Sequence, residues 1–86
     1  MYDVRLSSKA EAFYRKSDQP LARKLARCFQ QLEHDPRQHS NIKQLKGTLA
    51  GQYRYRVGDY RVIYRIVEQE QAVSVVKIVH RSEAYE

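Results

Sequence analysis

The sequence is poor in cysteine, glycine and long apolar runs. Its single cysteine, Cys28, excludes an internal disulfide, and three glycines are too few for a glycine-rich phosphate-binding loop. The longest apolar runs, such as VSVVKIV at 73–79, are far too short to span a bilayer. The N-terminal residues MYDVRLSS lack the charged and apolar regions of a signal peptide. We therefore expect a cytoplasmic protein.

Positive charge is what the sequence has in excess. Sixteen lysines and arginines face ten acidic residues, which gives a formal net charge of +6, and ten of the basic residues are arginines. A basic protein of this kind is expected to bind nucleic acid, an acidic protein or an anionic membrane surface. We expect residues 1–86 to form a single domain, because a chain of this length has no room for a second one.

Residues 53–65, YRYRVGDYRVIYR, alternate tyrosine or valine with arginine on both sides of a Gly-Asp pair. This pattern predicts a β-hairpin with a two-residue turn at Gly58-Asp59. The turn fixes which residues face each other. The predicted pairs are Val57 with Tyr60, Arg56 with Arg61, Tyr55 with Val62, Arg54 with Ile63, and Tyr53 with Tyr64.

The two sides of this hairpin differ in chemistry. Because side chains alternate along a strand, the tyrosines and valines share one side, and Arg54, Arg56, Arg61, Ile63 and Arg65 share the other. Arg56 directly opposite Arg61 destabilises the hairpin by ~0.2–1 kcal/mol. Two interpretations stay open at this point: the long arginines splay apart into solvent, or they bind an anion such as several phosphates.

Two helices are predicted before the hairpin. Ser8 and Glu11 have the spacing of a capping box, so the first helix should start there. Asp18 can cap a second helix, which should end near His34 because Pro36 restricts the residue before it. Apolar residues recur at helical spacing. They are Ala10, Phe13 and Tyr14 in the first helix, and Leu21, Leu25, Cys28, Phe29 and Leu32 in the second.

The remaining segments predict strands. Residues 2–7 alternate and form the first strand, residues 36–51 are a polar connection, residues 68–71 are a turn, and residues 72–81 are the last strand. The economical arrangement is an α+β fold of the order β-α-α-β-β-β, with a small antiparallel β-sheet and both helices packed on one face. The helices would cover the tyrosine and valine side. The arginines would line the open wall of a shallow cleft.

The candidate reactive side chains are few. His34 and His39 lack partners at metal-ligand spacing, so we expect no metal site and no cofactor. Cys28 falls on the apolar stripe of the second helix and should be a small core residue. His80 is either a partly buried residue at a sheet end or a proton carrier. Tyr85 is either part of a disordered tail or an aromatic that contacts a ligand.

Two strings carry a resemblance to a known family. LKGTLAGQYRYRVGDYRVIYRI at 45–66 and VVKIVHRSEAY at 75–85 closely resemble the RelE/ParE superfamily of bacterial and archaeal toxins. Over residues 1–44 the resemblance rests on the order and length of the elements. HR followed shortly by a tyrosine is similar to the RelE branch, which cleaves messenger RNA. The ParE branch, whose target is DNA gyrase, usually lacks that terminal tyrosine.

The resemblance implies a RelE-like fold and the toxin of a type II toxin–antitoxin system. Such a toxin is a ribosome-dependent endoribonuclease that cuts the codon in the A site, without a metal, through the 2′-hydroxyl of the RNA. The implied partners are the ribosome, the messenger RNA and a RelB-like antitoxin from the same operon. The alternatives are a ParE-like, non-enzymatic toxin that binds gyrase and a plain nucleic-acid-binding module.

The resemblance also assigns the site residues. The family's second-strand catalytic pair falls on Arg54 and Arg56, the arginine that opens the third strand on Arg61, and the late aromatic on Tyr85. The family's arginine near the end of the last strand falls only approximately on Arg81. The candidate RNA-binding residues are Lys43, Lys46, Arg54, Arg56 and Arg65.

This sequence departs from the best-known family pattern at the second-strand pair, which is usually two lysines. Arginine keeps its proton at a pKa above about 12, so Arg54 and Arg56 can bind phosphate and stabilise charge but are poor general bases. A proton carrier must come from elsewhere. His80 and Tyr85 are the candidates, and the resemblance favours Tyr85 because the family's tyrosine maps to it directly.

Overall fold

The structure, a computed structural model, describes residues 1–84. Its helices and strands confirm the predicted α+β fold. In chain order they are β1 (Asp3–Leu6), α1 (Ser8–Lys16), α2 (Gln19–His34), β2 (Ile42–Gln44), β3 (Tyr53–Val57), β4 (Tyr60–Val67) and β5 (Ala72–His80). Neither helix has the length and apolarity needed to cross a membrane, and no other helix of residues 1–84 does.

The strands form one sheet in the order β1-β5-β4-β3-β2. Two details differ from the prediction. β1 runs parallel to β5, so the sheet is mixed rather than antiparallel. β2 pairs with β3 inside the segment that was predicted to be a polar connection. Alternation cannot give the direction of β1, because no short turn links it to β5, and a strand of three residues has no measurable period.

Each helix begins with a side-chain cap. The Asp18 carboxylate accepts a hydrogen bond from the Leu21 backbone N at 3.0 Å, as predicted for α2. α1 begins at Ser8 as predicted, but its cap is Ser7 and not the Ser8–Glu11 pair. The Ser7 hydroxyl accepts from the Ala10 N at 3.0 Å and donates to the Val76 carbonyl at 2.6 Å. Ser7 therefore joins α1 to β5, a contact that capping-box spacing alone does not reveal.

The core lies between the helices and one face of the sheet. The hairpin contributes Tyr55, Val57, Val62 and Tyr64, each at most 8% exposed, which confirms that the helices cover the tyrosine and valine side. The Tyr64 hydroxyl donates to the Pro36 carbonyl at 2.6 Å, and burial raises the pKa of this phenol well above its usual range.

Cys28 is 1% exposed, and burial raises the pKa of its thiol. It is a core residue, as its place on the apolar stripe of α2 predicted.

The β3–β4 hairpin has the predicted register at all five pairs. Gly58 has a φ of 58°, in the left-handed region that favours glycine. The Arg56 backbone N donates to the Asn41 carbonyl at 2.9 Å, away from β4. Arg56 and Arg61 are therefore a non-hydrogen-bonded pair, the type in which opposite Cα atoms are only about 4.5 Å apart.

Candidate functional site

The sheet face that turns away from the helices carries two registered rows of residues. One row is Arg56–Arg61–Val79, and the other is Lys43–Arg54–Ile63–Lys77. Arg65 lies on the same face, two residues beyond Ile63 along β4. Together these cations form what we call the cationic face. Its members are Lys43, Arg54, Arg56, Arg61, Arg65 and Lys77.

A β-bulge in β5 places Lys77 on this face. Ile63 pairs with Lys77 while the next residue, Tyr64, pairs with Val75, so Val76 is an extra residue in β5. Without the bulge, residues 75 and 77 would share a face. Lys77 is not among the residues predicted from the sequence, and uninterrupted alternation from Val73 and Val75 would place it on the buried face. The signal was a change in apolar spacing, from two between Val73 and Val75 to three between Val75 and Ile78.

Backbone carbonyls position two of the guanidinium groups. Arg54 Nη1 donates to the Asn41 carbonyl at 3.2 Å, and Arg61 Nη1 donates to the Gly58 and Tyr60 carbonyls at 3.1 and 3.0 Å. Both arginines are half-buried, whereas Arg56 is exposed. The charged ends are therefore fixed in place, which favours binding of an anion over free motion in solvent.

The cationic face is less open than the sequence predicted. Ile63 lies between Arg54 and Lys77 in register and is only 3% exposed, although it turns away from the helices. The prediction that this face stays open does not hold at Ile63. The exposed cations lie at the borders, at Lys43, Arg56 and Arg65.

The structure separates two of the predicted site residues from these rows. Lys46 lies in an exposed loop before the 3₁₀ turn Gly47–Leu49, outside the paired strands. Arg81 lies beside the β3–β4 turn, where its backbone N donates to the Asp59 carbonyl at 2.7 Å. Its Nε is 3.9 Å from the Asp59 carboxylate. Arg81 is thus near the end of the Arg56–Arg61 row but contacts an acid.

His80 lies on the other side of the sheet. It pairs with Tyr60, and their rings make an edge contact with centroids 5.5 Å apart. Tyr60 also contacts Phe13 of α1 at 5.4 Å, which places both rings on the helix-covered side. His80 Nδ1 accepts a hydrogen bond from the Ser82 N at 3.2 Å, capping the turn that follows β5. These contacts give His80 a structural role and do not bring it to the cationic face.

Tyr85, the predicted catalytic aromatic, lies outside the described residues. Within residues 1–84, no group of three or more histidine, cysteine or acidic side chains could hold a metal ion. Among residues 1–84, the charged groups that the cationic face presents are guanidinium and ammonium ions. Lys43 and Lys77 differ from the arginines because a lysine can also take part in proton transfer.

Comparison with known proteins gives a family. A model described as the ParE toxin of type II toxin–antitoxin systems matches residues 4–85. No curated protein matches the chain.

Solved structures of toxins share the fold. The archaeal RelE–RelB complex from Pyrococcus horikoshii is 26% identical, with a TM-score of 0.81, and the match covers 96% of this chain and 98% of that chain. The toxin–antitoxin complex RelBE2 from Mycobacterium tuberculosis is 30% identical, with a TM-score of 0.70 and coverages of 93% and 98%. A YoeB/ParE toxin from Agrobacterium tumefaciens is 18% identical, with a TM-score of 0.81 and coverages of 91% and 96%. The chain therefore belongs to the ParE toxin family of type II toxin–antitoxin systems, within the RelE/ParE superfamily that its sequence resembles.

Proposed function

We propose that this toxin is a ribosome-dependent endoribonuclease that cleaves messenger RNA in the A site. The observation that carries the proposal is the cationic face. Its two registered rows contain five cations, and no described residue in those rows is acidic. RNA phosphates are the ligands that such a surface fits best.

The Arg56–Arg61 pair supports binding of phosphate in particular. Two guanidinium groups on directly opposed residues repel each other in the free protein. A phosphate between them removes this repulsion and accepts charge-assisted hydrogen bonds from both. A pair of like charges that lowers the stability of the free protein, and is stabilised when a ligand binds, is typical of a functional site.

The proposed reaction needs charge stabilisation and the movement of one proton. The 2′-oxygen of the RNA attacks the adjacent phosphorus, and the bond from phosphorus to the 5′-oxygen breaks. The proton of the 2′-hydroxyl is lost and the leaving 5′-oxygen gains one, so the products are a 2′,3′-cyclic phosphate and a 5′-hydroxyl. Negative charge builds on the phosphate in the transition state. Arg54, Arg56 and Arg61 would stabilise it, at a few kcal/mol each, to about the extent of an oxyanion-hole donor.

Tyr85 is proposed to orient the RNA or to move the proton, as the family resemblance implies. The two roles make different predictions. If Tyr85 stacks or orients, Tyr85→Phe should keep most of the cleavage activity and Tyr85→Ala should lose it. If Tyr85 transfers a proton, both variants should lose it. Full cleavage activity in Tyr85→Ala would show that Tyr85 takes no part in the reaction.

The proposed partners are the ribosome, the messenger RNA and a RelB-like antitoxin from the same operon. Two relatives above 25% identity were solved as complexes, one named RelE–RelB and the other RelBE2. Because the toxin carries a net charge of +6, an acidic antitoxin would bind it with electrostatic steering, and raised salt would slow association. These partners would place the protein in the cytoplasm.

A second candidate function is binding to DNA gyrase without catalysis. The observation that favours it is the match to a ParE toxin model over nearly the whole chain. The two functions differ in their products. An endoribonuclease breaks RNA, and a gyrase-binding toxin leads to damaged DNA.

The test is to incubate the purified toxin with ribosomes carrying a defined message and to map the RNA ends. We expect a cut within the A-site codon, with a 2′,3′-cyclic phosphate on one fragment and a free 5′-hydroxyl on the other. The same message without ribosomes is the control for contaminating ribonuclease. An intact message, together with DNA damage when the toxin is expressed in cells, would replace this proposal with the gyrase function.

A further inference from the structure

Three neighbouring strands each bring one cation to the centre of the cationic face. Ile63 of β4 pairs with Arg54 on β3 and with Lys77 on β5. Arg61 lies two residues before Ile63 and on the same face. We call Arg54, Arg61 and Lys77 the inner cations. Each is half-buried, whereas the cations at the borders of the face are exposed. A phosphate held by the inner cations would lie in the less hydrated part of the face, where interactions between charges are stronger.

Hydrogen bonds from Ser7 fix the backbone that positions Lys77. The β-bulge at Val76 turns Lys77 towards the cationic face. Ser7 binds both carbonyls that precede Lys77, since its backbone N donates to the Val75 carbonyl at 2.9 Å and its hydroxyl donates to the Val76 carbonyl at 2.6 Å. With regular alternation, Lys77 would share the side of Val75, which is 0% exposed, and a charged side chain there is costly. The fold therefore uses an irregular strand to bring this one lysine to the face.

Lys77 differs from the other two inner cations in its proton chemistry. Arg54 and Arg61 carry guanidinium groups, which keep their protons at a pKa above about 12. An ammonium ion is a stronger acid than a guanidinium ion, and it is charged at neutral pH. Lys43, the other lysine of the cationic face, is exposed and pairs with Arg54 on the side away from Ile63. Among the inner cations, Lys77 is therefore the one suited to donate a proton.

We propose that Lys77 is the general acid of RNA cleavage, an assignment that rests on the proposed function. The bond from phosphorus to the 5′-oxygen breaks, and its electron pair stays on the oxygen. Lys77 Nζ donates a proton to that oxygen, which completes the 5′-hydroxyl. The neutral amine then regains a proton from solvent, to which the 2′-hydroxyl loses its own. Arg54 and Arg61 contact the non-bridging oxygens and stabilise their charge.

The position of Lys77 suits the leaving side of the phosphate. The leaving oxygen lies in line with the attacking 2′-oxygen, on the opposite side of phosphorus, so a donor is needed at a distance from the nucleophile. Arg54 and Lys77 flank Ile63 from opposite sides. Their strands are two spacings apart, or ~10 Å. Lys77 thus serves one end of the reacting group, and Tyr85 keeps its proposed role at the other.

The test replaces the leaving oxygen with sulfur. Ribosome-bound messages carry either the ordinary linkage or a 5′-bridging phosphorothiolate at the mapped cleavage site. A thiol is a much stronger acid than an alcohol, so a thiolate leaves without a proton and needs no general acid. The variants are Lys77→Met and Lys77→Arg. Arg61→Ala is the comparison for charge stabilisation, and Lys9→Ala removes an exposed lysine of α1 as the control.

Single-turnover rates at saturating toxin measure the chemical step. On the ordinary linkage, Lys77→Met should lose about 10²- to 10⁴-fold, and Lys77→Arg at least about tenfold although it keeps the charge. On the sulfur linkage, both should come within about threefold of the wild type, because the proton is no longer needed. Arg61→Ala should be slow on both linkages, since the non-bridging oxygens are unchanged. Lys9→Ala should match the wild type on both.

Equal losses of Lys77→Met on the two linkages would overturn the proposal. Lys77 would then bind phosphate or stabilise the fold, and thermal melts of the same variants tell these apart. An unchanged rate on the ordinary linkage would overturn it as well. If the wild-type toxin cleaves neither message, the proposed function is refuted and the assignment of Lys77 with it. If the wild type cleaves both and sulfur rescues neither Lys77 variant, only the assignment is refuted.

Discussion

The two faces of the β3–β4 hairpin come from the same thirteen-residue segment, 53–65. One face packs in the core, and the other carries the candidate site. On one face, Tyr55, Val57, Val62 and Tyr64 are buried under the helices. On the other face, the residues between them are mostly arginines, and two of these arginines directly oppose each other. The comparison shows that the buried face stabilises the fold, whereas the repulsion between opposed arginines on the other face lowers the stability.

The cost of that pattern is small compared with the stability of a folded protein. One pair of like charges costs ~0.2–1 kcal/mol, and native proteins are stable by roughly 5–15 kcal/mol. The core contains large side chains with no exposed surface, Tyr64 among them. The protein can therefore keep the repelling arginines where an anion binds.

The largest expected difference between the faces is between two adjacent residues of β4. Tyr64→Ala should lower the free energy of unfolding by about 3–5 kcal/mol, because it leaves a cavity and removes the hydrogen bond to Pro36. Arg65→Ala, on the opposite face, should change it by less than about 0.5 kcal/mol. Urea unfolding of both variants measures the contrast. Equal losses of unfolding free energy in the two variants would mean that the cationic face contributes as much to stability as the core.

Alkaline pH should lower the stability of the protein through Tyr64, on the helix-covered face. The folded-state pKa of Tyr64 is raised by burial, so the phenol binds its proton more tightly in the folded protein than in the unfolded chain. Its contribution to stability is complete below pH ~10 and is lost as pH rises towards the folded pKa, by up to ~1.4 kcal/mol per pH unit.

Tyr64→Phe separates this titration from the other alkaline effects. It should cost about 1–3 kcal/mol at neutral pH, because the Pro36 carbonyl loses its donor. It should also flatten the decline above pH ~10. An unchanged slope in urea-unfolding free energies between neutral and alkaline pH would contradict the assignment of the decline to Tyr64.

His80 sharpens the comparison because it lies on the helix-covered side of β5, the same strand that places Lys77 on the cationic face. His80→Ala should lower stability by about 0.5–1.5 kcal/mol through loss of the ring contact with Tyr60. It should retain cleavage activity, and the pH–rate profile should keep its shape near pH ~6–7, where a free imidazole titrates. If the variant is inactive and its melting curve is unaltered, His80 takes part in catalysis and this prediction is wrong.

The smallest expected effect is a gain in stability. Arg56→Ala should raise the free energy of unfolding by ~0.2–1 kcal/mol, because it removes a like charge opposite Arg61. Arg23→Ala, which removes an exposed arginine from α2, controls for the change in net charge. Thermal melts at low and high salt should show the gain shrinking as salt screens the repulsion. A loss of stability in Arg56→Ala would mean that the arginine is structural.

The sequence was sufficient for the hairpin and for the start and end of α2. A two-residue turn flanked by alternation permits one register, and all five predicted pairs were confirmed. Asp18 and Pro36 set the ends of α2 through local chemistry that needs no tertiary contact. β2 and the parallel pairing of β1 with β5 were missed, because both depend on partners distant in sequence.

The site could be predicted where alternation holds and not where it breaks. Arg54, Arg56 and Arg61 were placed on one face by a period of two, and the register confirms it. Lys77 was missed because the bulge at Val76 shifts the period. His80 was considered as a proton carrier because histidine is the side chain suited to proton transfer near neutral pH, but residue type says nothing about which face of the sheet a side chain occupies. The role of Tyr85 rests on the family resemblance and stays a prediction.

The measurement that tests the central claim most directly is the cleavage of ribosome-bound message by Arg56→Ala and Arg61→Ala. Arg15→Ala and Arg23→Ala, two exposed helical arginines, are the matched controls. If the cationic face stabilises the transition state, each face variant should lose about 10²- to 10³-fold in rate while it stays folded, and the controls should remain near the wild type. Equal rates in all four variants, or equal losses, would contradict the account, because the position of the arginines on the sheet would then not matter.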